Sequence, residues 1–217
     1  SYGPIALEED SAKRVLPFIM NADGMCRLWG GATMNDGPLP EHYEPWETPL
    51  GANPIGHGTL NDPAAYRIGG GGFVIDDVDQ NPKGNADQYP YVGTTYRCTE
   101  HWQTGIMTRN LPWLNELQPN MYVELGEDLA ADLGIEKGDK VKVSTARGTI
   151  EAVAVVTKRF AGIEVNGETI HHIGILNHWG YSGLSTGDSG NVLTPSVGDA
   201  NTSIPEFKTF LCNIEKA

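Results

Sequence analysis

The stretch Met121–Thr157, MYVELGEDLAADLGIEKGDKVKVSTARGTIEAVAVVT, decides the fold. Met121 to Leu125 reads as a strand. Gly126 to Gly134 reads as a short helix, with Leu129 and Leu133 four apart on one face, Glu127 and Asp128 at its N-terminal end, and Gly134 at the C-terminal cap. Gly138-Asp139 turns into Lys140–Ser144, which alternates polar and apolar residues as a half-buried strand does. Ala146-Arg147-Gly148 suits a three-residue hairpin loop with the glycine left-handed, and the partner strand runs from Thr149 to Thr157. Its Ile150, Ala152, Ala154 and Val156 face one way and Val153 and Val155 the other, so both faces are partly covered. Downstream, Asn166-Gly167 is a two-residue hairpin signal between Ile163–Val165 and Glu168–Ile170. Further strands follow at Ile173–Leu176 and Thr209–Ile214. Many short strands with one small helix predict a mainly β chain closed into a barrel.

Upstream of this unit lies Gly93–Arg109, GTTYRCTEHWQTGIMTR, dense in side-chain donors and poor in apolar periodicity. Such a run reads as a loop around a large, polar, anionic ligand. Glycine lets the backbone come close, hydroxyls and amides give directed bonds, and arginine offers a planar fork to phosphate.

The first 85 residues are different again. Prolines recur at 17, 38, 40, 45, 49, 54 and 63, and Gly69–Gly72 is a run of four glycines, yet Phe18, Trp29, Tyr43, Trp46 and Tyr66 keep the segment rich in aromatics. Proline at this density breaks helices and strands, and disordered tails are aromatic-poor. The expectation is an extended arm over residues 1–85 that lies on another protein surface, or else a loop-rich subdomain on its own barrel, with the barrel itself over 86–217.

Bulk properties exclude several classes. The 217 residues carry 28 acidic and 15 basic side chains, a net charge of -13. That field repels nucleic acid and anionic membranes but leaves room for a local anion site. No apolar run is long enough to span a bilayer, and no secretory or twin-arginine leader is recognisable. Ser1 in place of methionine reads as a processed chain or a piece of a longer one. Cys26, Cys98 and Cys212 are scattered and make no C-x-x-C pair, so neither an iron–sulfur cluster nor a structural zinc site is expected from this chain alone. His171-His172 are strand neighbours that point to opposite faces, which argues against one shared metal ion. Ser185 and Ser189 lack the Gly-x-Ser-x-Gly context of a hydrolase, and Gly69–Gly72 lacks the Lys-Ser/Thr of a phosphate loop.

Together these pieces carry a resemblance. The 121–157 unit resembles the molybdopterin-dinucleotide-binding domain of the dimethyl-sulfoxide-reductase superfamily, in which it forms part of a six-stranded double-psi β-barrel at the C-terminal end of a large catalytic subunit. TTYRCTEHWQTGIMTR looks like that family's loop around one pterin guanine dinucleotide. The tail, NHWGYSG followed by NVLTPSVGDANTSIPEFKTFLCNIEKA, is similar to the end of the molybdenum- or tungsten-containing formate dehydrogenases, whose metal carries selenocysteine or cysteine. DGPLPEHYEPWETPLGANP resembles the crossing segment before the domain in the same enzymes.

By position, the resemblance implies cofactor-binding roles for Thr95, Arg97, His101, Trp102, Gln103, Thr104, Trp179, Asn191, Phe207 and Lys208. It implies no catalytic residue and no metal ligand in this chain, since those lie in earlier domains of the family. The implied cofactor is a bis-molybdopterin guanine dinucleotide with tungsten or molybdenum, with [4Fe-4S] clusters elsewhere in the assembly. The implied partners are the rest of the catalytic subunit, an iron–sulfur electron-transfer subunit and, in some assemblies, a cytochrome, with periplasm favoured over cytoplasm. Arg97 suits a bidentate grip on phosphate and Lys208 a second cation. Thr95 and Thr104 can bond phosphate or ribose, and Gln103 and Asn191 can meet a pterin or guanine edge. Trp102 and Trp179 either offer stacking faces or fill the pocket wall. The nitrate-reductase branch of the superfamily has glycine where Tyr96 stands and histidine where Gln103 stands. The competing readings are the same domain in a nitrate or polysulfide reductase, and a non-catalytic interaction subunit.

Overall fold

A computed structural model describes residues 45–50, 81–198 and 205–217. Most of the expected arm, with Cys26 and Gly69–Gly72, lies outside these residues.

The strands are β1 (Tyr91–Tyr96), β2 (Tyr122–Gly126), β3 (Lys140–Ser144), β4 (Thr149–Thr157), β5 (Ile163–Val165), β6 (Glu168–Ile170), β7 (His172–Leu176) and β8 (Phe210–Lys216). Two short helices, α1 (Pro112–Leu117) and α2 (Glu127–Leu133), lie between them. Six strands close a barrel in the order β1-β7-β2-β4-β3-β8. β1 runs parallel to β7 and β2 parallel to β4, while every other neighbouring pair is antiparallel. The mainly β, closed six-stranded architecture read from the sequence is therefore present.

Alternation fills the interior. Val141 and Val143 of β3, Ile150, Ala152 and Ala154 of β4, Ile173 and Ile175 of β7, and Phe210, Cys212 and Ile214 of β8 are all buried in one cluster. α2 covers one flank with Leu129 buried and Leu133 packed against the core. It ends at Gly134, which has φ +64 and whose amide donates to the carbonyls of Ala130 and Ala131.

Two expectations need correction. Gly93 to Tyr96 is not loop but the greater part of β1, and the ligand-like run leaves the barrel only at Arg97. The glycine is needed for packing: a Cβ on Gly93 would lie 2.5 Å from the Phe210 ring. Gly148 does not take a left-handed φ. The β3–β4 turn instead closes with the Thr145 amide on the Gly148 carbonyl at 2.9 Å, and Gly148 is small because Val192 Cγ1 would meet a Cβ at 2.5 Å. The Asn166-Gly167 hairpin forms as expected, with φ +53 and +85, but its strands make a separate two-stranded sheet outside the barrel.

Of residues 1–85, the described pieces 45–50 and 81–85 are tied down by an ion pair to the barrel and by Asn81, whose side chain exchanges hydrogen bonds with the Ser196 backbone. Glu47 accepts from Arg147 Nη1 at 2.6 Å and Nη2 at 3.0 Å, a two-pronged grip. Its remaining lone pairs take the amides of Gly84 at 2.5 Å and Leu211 at 2.8 Å. Arg147 spends its other donors on the carbonyls of Leu193 and Pro82. Both side chains are almost fully buried, so each charge depends on the other. Replacing either partner alone, as in Glu47→Gln or Arg147→Met, is expected to cost about 3–5 kcal/mol, with less than the sum in the double variant. Urea unfolding followed by tryptophan fluorescence measures this.

Candidate cofactor-binding site

Strand direction gathers the candidate residues. β1 and β7 are parallel, so the loops leaving Tyr96 and Leu176 emerge at the same end of the barrel. β8 is antiparallel to β1 with Gly93 opposite Phe210, which brings the residues just before β8 level with the end of β1. Thr95, residues 97–110, residues 177–192 and Phe207-Lys208 thus share one rim.

Two buried side chains organise that rim. Arg109 is 4% exposed and donates only to backbone carbonyls of the second loop: His178 at 2.8 Å, Gly180 at 3.4 Å, Ser185 at 3.0 Å, and Ser182. The Arg109 carbonyl in turn accepts from the Leu184 amide at 2.9 Å. Irregular backbone cannot satisfy its own carbonyls, and here a five-donor guanidinium does so. A Cβ on Gly105 would lie 2.2 Å from the His178 carbonyl, so only glycine lets the loops come this close. The second organiser, His178, joins the Cys98 amide to the Gln103 carbonyl within the first loop.

His101 is also structural in its contacts. It is 4% exposed; Nε2 lies 2.9 Å from the Gln118 carbonyl, so it carries the proton, and Nδ1 lies 3.1 Å from the Thr108 hydroxyl. Its ring meets Trp179 edge-on, with centroids 4.9 Å apart.

The remaining predicted residues divide in two. Thr95, Phe207 and Lys208 come together: the Thr95 amide and hydroxyl both donate to the Phe207 carbonyl, at 3.1 and 2.9 Å, and Lys208 Nζ donates to the Thr95 carbonyl. Arg97 stands beside them, with Nη2 donating to Gln103 Oε1 at 3.2 Å. Gln103, Thr104 and Trp102 point to the exterior, Trp102 at 59% exposure. Trp179 is 3% exposed and belongs to the core cluster, with its indole N–H unpartnered. Of its two sequence readings, wall-filling describes its placement. Asn191 is exposed on the short 3-10 turn Gly190–Val192.

The electrostatics single out the cations. Burial lowers the Lys208 ammonium below its ordinary value, and Arg97 lowers it further. Among the described residues neither cation makes an ion pair. Two like charges held together in a strongly acidic protein, beside the exposed polar side chains of Gln103 and Thr104, fit a phosphate-bearing ligand. Among the described residues no group of three or more His, Cys, Asp or Glu could hold a metal ion.

The sequence reading singled out candidate positions on this rim and passed over Arg109 and His178. Arg109 closed the quoted polar run, and an arginine followed by asparagine and proline-bounded helix is a surface pattern by composition alone. Nothing in one dimension shows that it lies under the second loop.

A barrel closed on itself, with two long loops locked over one rim and an unpaired cationic corner there, defines a cofactor-binding module. The chain belongs to the molydopterin dinucleotide binding domain family, whose model matches residues 91–211. It is 51% identical over 201 residues to the formate dehydrogenase-O major subunit of Escherichia coli, covering 92% of this chain and 19% of that protein. It is 47% identical over 202 residues to the nitrate-inducible formate dehydrogenase major subunit of the same organism, covering 93% and 19%. It is 43% identical over 216 residues to the formate dehydrogenase subunit alpha of Megalodesulfovibrio gigas, covering 99% and 20%. The chain therefore spans no more than 20% of the length of these relatives.

Arg109→Leu is expected to leave the carbonyls of His178, Gly180, Ser182 and Ser185 unpaired and to cost about 3 kcal/mol or more. Limited proteolysis should then cut within residues 178–189 while the barrel strands stay intact; unchanged resistance there would refute the assignment.

Proposed function

We propose that this chain is the cofactor-binding part of a formate dehydrogenase catalytic subunit and holds one pyranopterin guanine dinucleotide of a bis-dinucleotide centre. The observation that carries the cofactor reading is the corner formed by Arg97, Lys208, Thr95 and the Phe207 carbonyl, where two cations have no carboxylate partner among the described residues. In this reading Arg97 grips phosphate or a carbonyl edge with two parallel donors, and Lys208 supplies a compact second charge. Gln103, now bonded to Arg97, is free to turn its amide to the ligand. Thr104 and Asn191 present exposed polar groups along the same rim, and Trp102 presents an open ring face. His101 and Trp179 act from beneath, by fixing the loops.

When bound, the centre supplies a molybdenum or tungsten ion able to take up the electrons of formate oxidation. The high identity to formate dehydrogenase subunits supports that reaction over nitrate or polysulfide reduction. The metal's protein ligand and the iron–sulfur clusters belong to other parts of the assembly in this proposal, as do an iron–sulfur subunit and any cytochrome partner. An apolar surface supports docking onto the rest of the catalytic subunit. Ile106, Met107, Leu111 and Leu117 are at least half exposed and Trp113 is 83% exposed, all within twelve residues of one another. Periplasm is the proposed compartment, on the likeness of the tail to exported enzymes.

The test is made on the native complex containing this chain. Released and oxidised pterin is measured by fluorescence, and molybdenum and tungsten are measured on the same sample. About two dinucleotides per metal together with formate turnover are expected. Pterin with turnover of another oxyanion would move the assignment to another branch, and an intact complex without pterin or metal would leave an interaction subunit. Arg97→Ala and Lys208→Ala should each weaken pterin retention roughly tenfold or more, the worth of one charge-assisted hydrogen bond.

A further inference from the structure

His178 is 0% exposed, yet its ring is not packed inertly. Nδ1 lies 2.5 Å from the Gln103 carbonyl, and Nε2 lies 2.8 Å from the Cys98 amide nitrogen. A carbonyl can only accept and an amide N–H can only donate. The ring must therefore carry its proton on Nδ1 and none on Nε2. The two contacts grip the two ends of the turn 98–103, which is flanked by Arg97 and Thr104. Gln103 within that turn holds φ +51, a left-handed state that a non-glycine residue does not keep without outside support.

We infer that His178 is a positioning residue for the dinucleotide: its neutral, Nδ1-protonated ring clasps the 98–103 turn so that Arg97 and Gln103 face the ligand, and a proton taken up at Nε2 opens the clasp. The inference rests on the cofactor reading above. A doubly protonated ring would set Nε2–H against the Cys98 N–H. With no acceptor left for that amide, the turn must detach at its N-terminal end, the end that carries Arg97. The ligand's cationic corner and the clasp are thus coupled through a single residue step.

The groups that face His178 agree with this. Cys98, Glu100 and His101 lie on the clasped turn, Arg97 directly precedes it, and Arg109 holds the His178 carbonyl from the other side. Burial lowers the imidazole's affinity for a proton most. The Gln103 carbonyl and Glu100 work against it, and His101 and Arg97 add to it, for a net depression below 6.5. The sign follows. A histidine whose folded value lies below its unfolded 6.5 contributes its full stabilisation above that pH and loses it as pH falls toward the folded value.

The native complex is taken from about pH 8 to about pH 5, with hydrogen exchange followed by mass spectrometry and retained pterin measured at each step. Protection of the peptide holding residues 98–103 is expected to fall about tenfold per pH unit below 6.5, after correction for intrinsic exchange, while β2, β3 and β4 stay protected. Pterin retention should fall over the same range. His178→Gln carries a donor and an acceptor on one amide and does not titrate, so it should restore retention at low pH. His178→Leu should lose pterin at every pH. Acid loss unchanged in His178→Gln would overturn the inference and assign the proton to another group. Protection that stays flat with pH in the unmodified complex would overturn it even if neither variant assembles. A complex without pterin at any pH would instead defeat the cofactor reading, and the exchange data would still decide the clasp.

Discussion

One buried guanidinium holds the working rim together. Loops 97–110 and 177–189 have almost no regular structure between them, and such backbone stays folded only if something answers its carbonyls. Arg109 answers four from the second loop, while its own carbonyl takes that loop's Leu184 amide. The barrel supplies the location and Arg109 supplies the shape. Among the described residues the charge is buried without a carboxylate, so the carbonyl dipoles are its counter-charge, and the arrangement tolerates no smaller or neutral replacement. Everything presented at the rim, from Arg97 to Gln103, stands on that lock and on the imidazole beside it.

The barrel and its rim divide the labour. The core is ordinary: β-branched and small residues alternate inward, with glycine at 93 where Phe210 needs the space. Buried charge on the wall is answered by several donors at once. Glu124 on β2 is one case. Burial alone would raise its carboxyl, but hydrogen bonds from Arg159, Thr157 and Tyr96 outweigh this and hold it below the ordinary value. That network ties β1, β2 and the end of β4 on the outside of the barrel, close to where the first loop departs. Polar groups thus knit the wall near the rim, while the interior needs none.

Much of this was legible in one dimension, and the exceptions have physical causes. The stretch 121–157 could be read almost residue by residue because its periods are clean and Gly134 marks the helix end. β1 could not, because Gly93 and Thr95 are chosen by neighbours distant in sequence: Phe210 excludes a side chain at one, and the Phe207 carbonyl accepts the hydroxyl of the other. Gly148 misled for the same reason, being small for Val192 and not for its own φ. At the candidate site, the polar residues of the first loop were visible as a run, since polarity without periodicity is itself a signal. The residues that shape the run were not. Arg109 and His178 act through backbone atoms of segments far along the chain, and no local pattern records which carbonyl a side chain will find.

The pairing of β8 has a consequence for biosynthesis. β8 fills the gap between β1 and β3, and the Leu211 amide at its start also receives the Glu47 carboxylate, 164 residues earlier. On the ribosome the other five barrel strands are complete long before β8 emerges, so the sheet waits as an open ribbon with two bare edges, and Glu47 and Arg147 wait in water. Closure of the barrel, the Leu211 contact to Glu47 and the Thr95–Phe207–Lys208 corner all wait for β8. The ligand corner therefore does not exist on the five-stranded ribbon, and a ligand held there can be gripped only once β8 has closed the barrel.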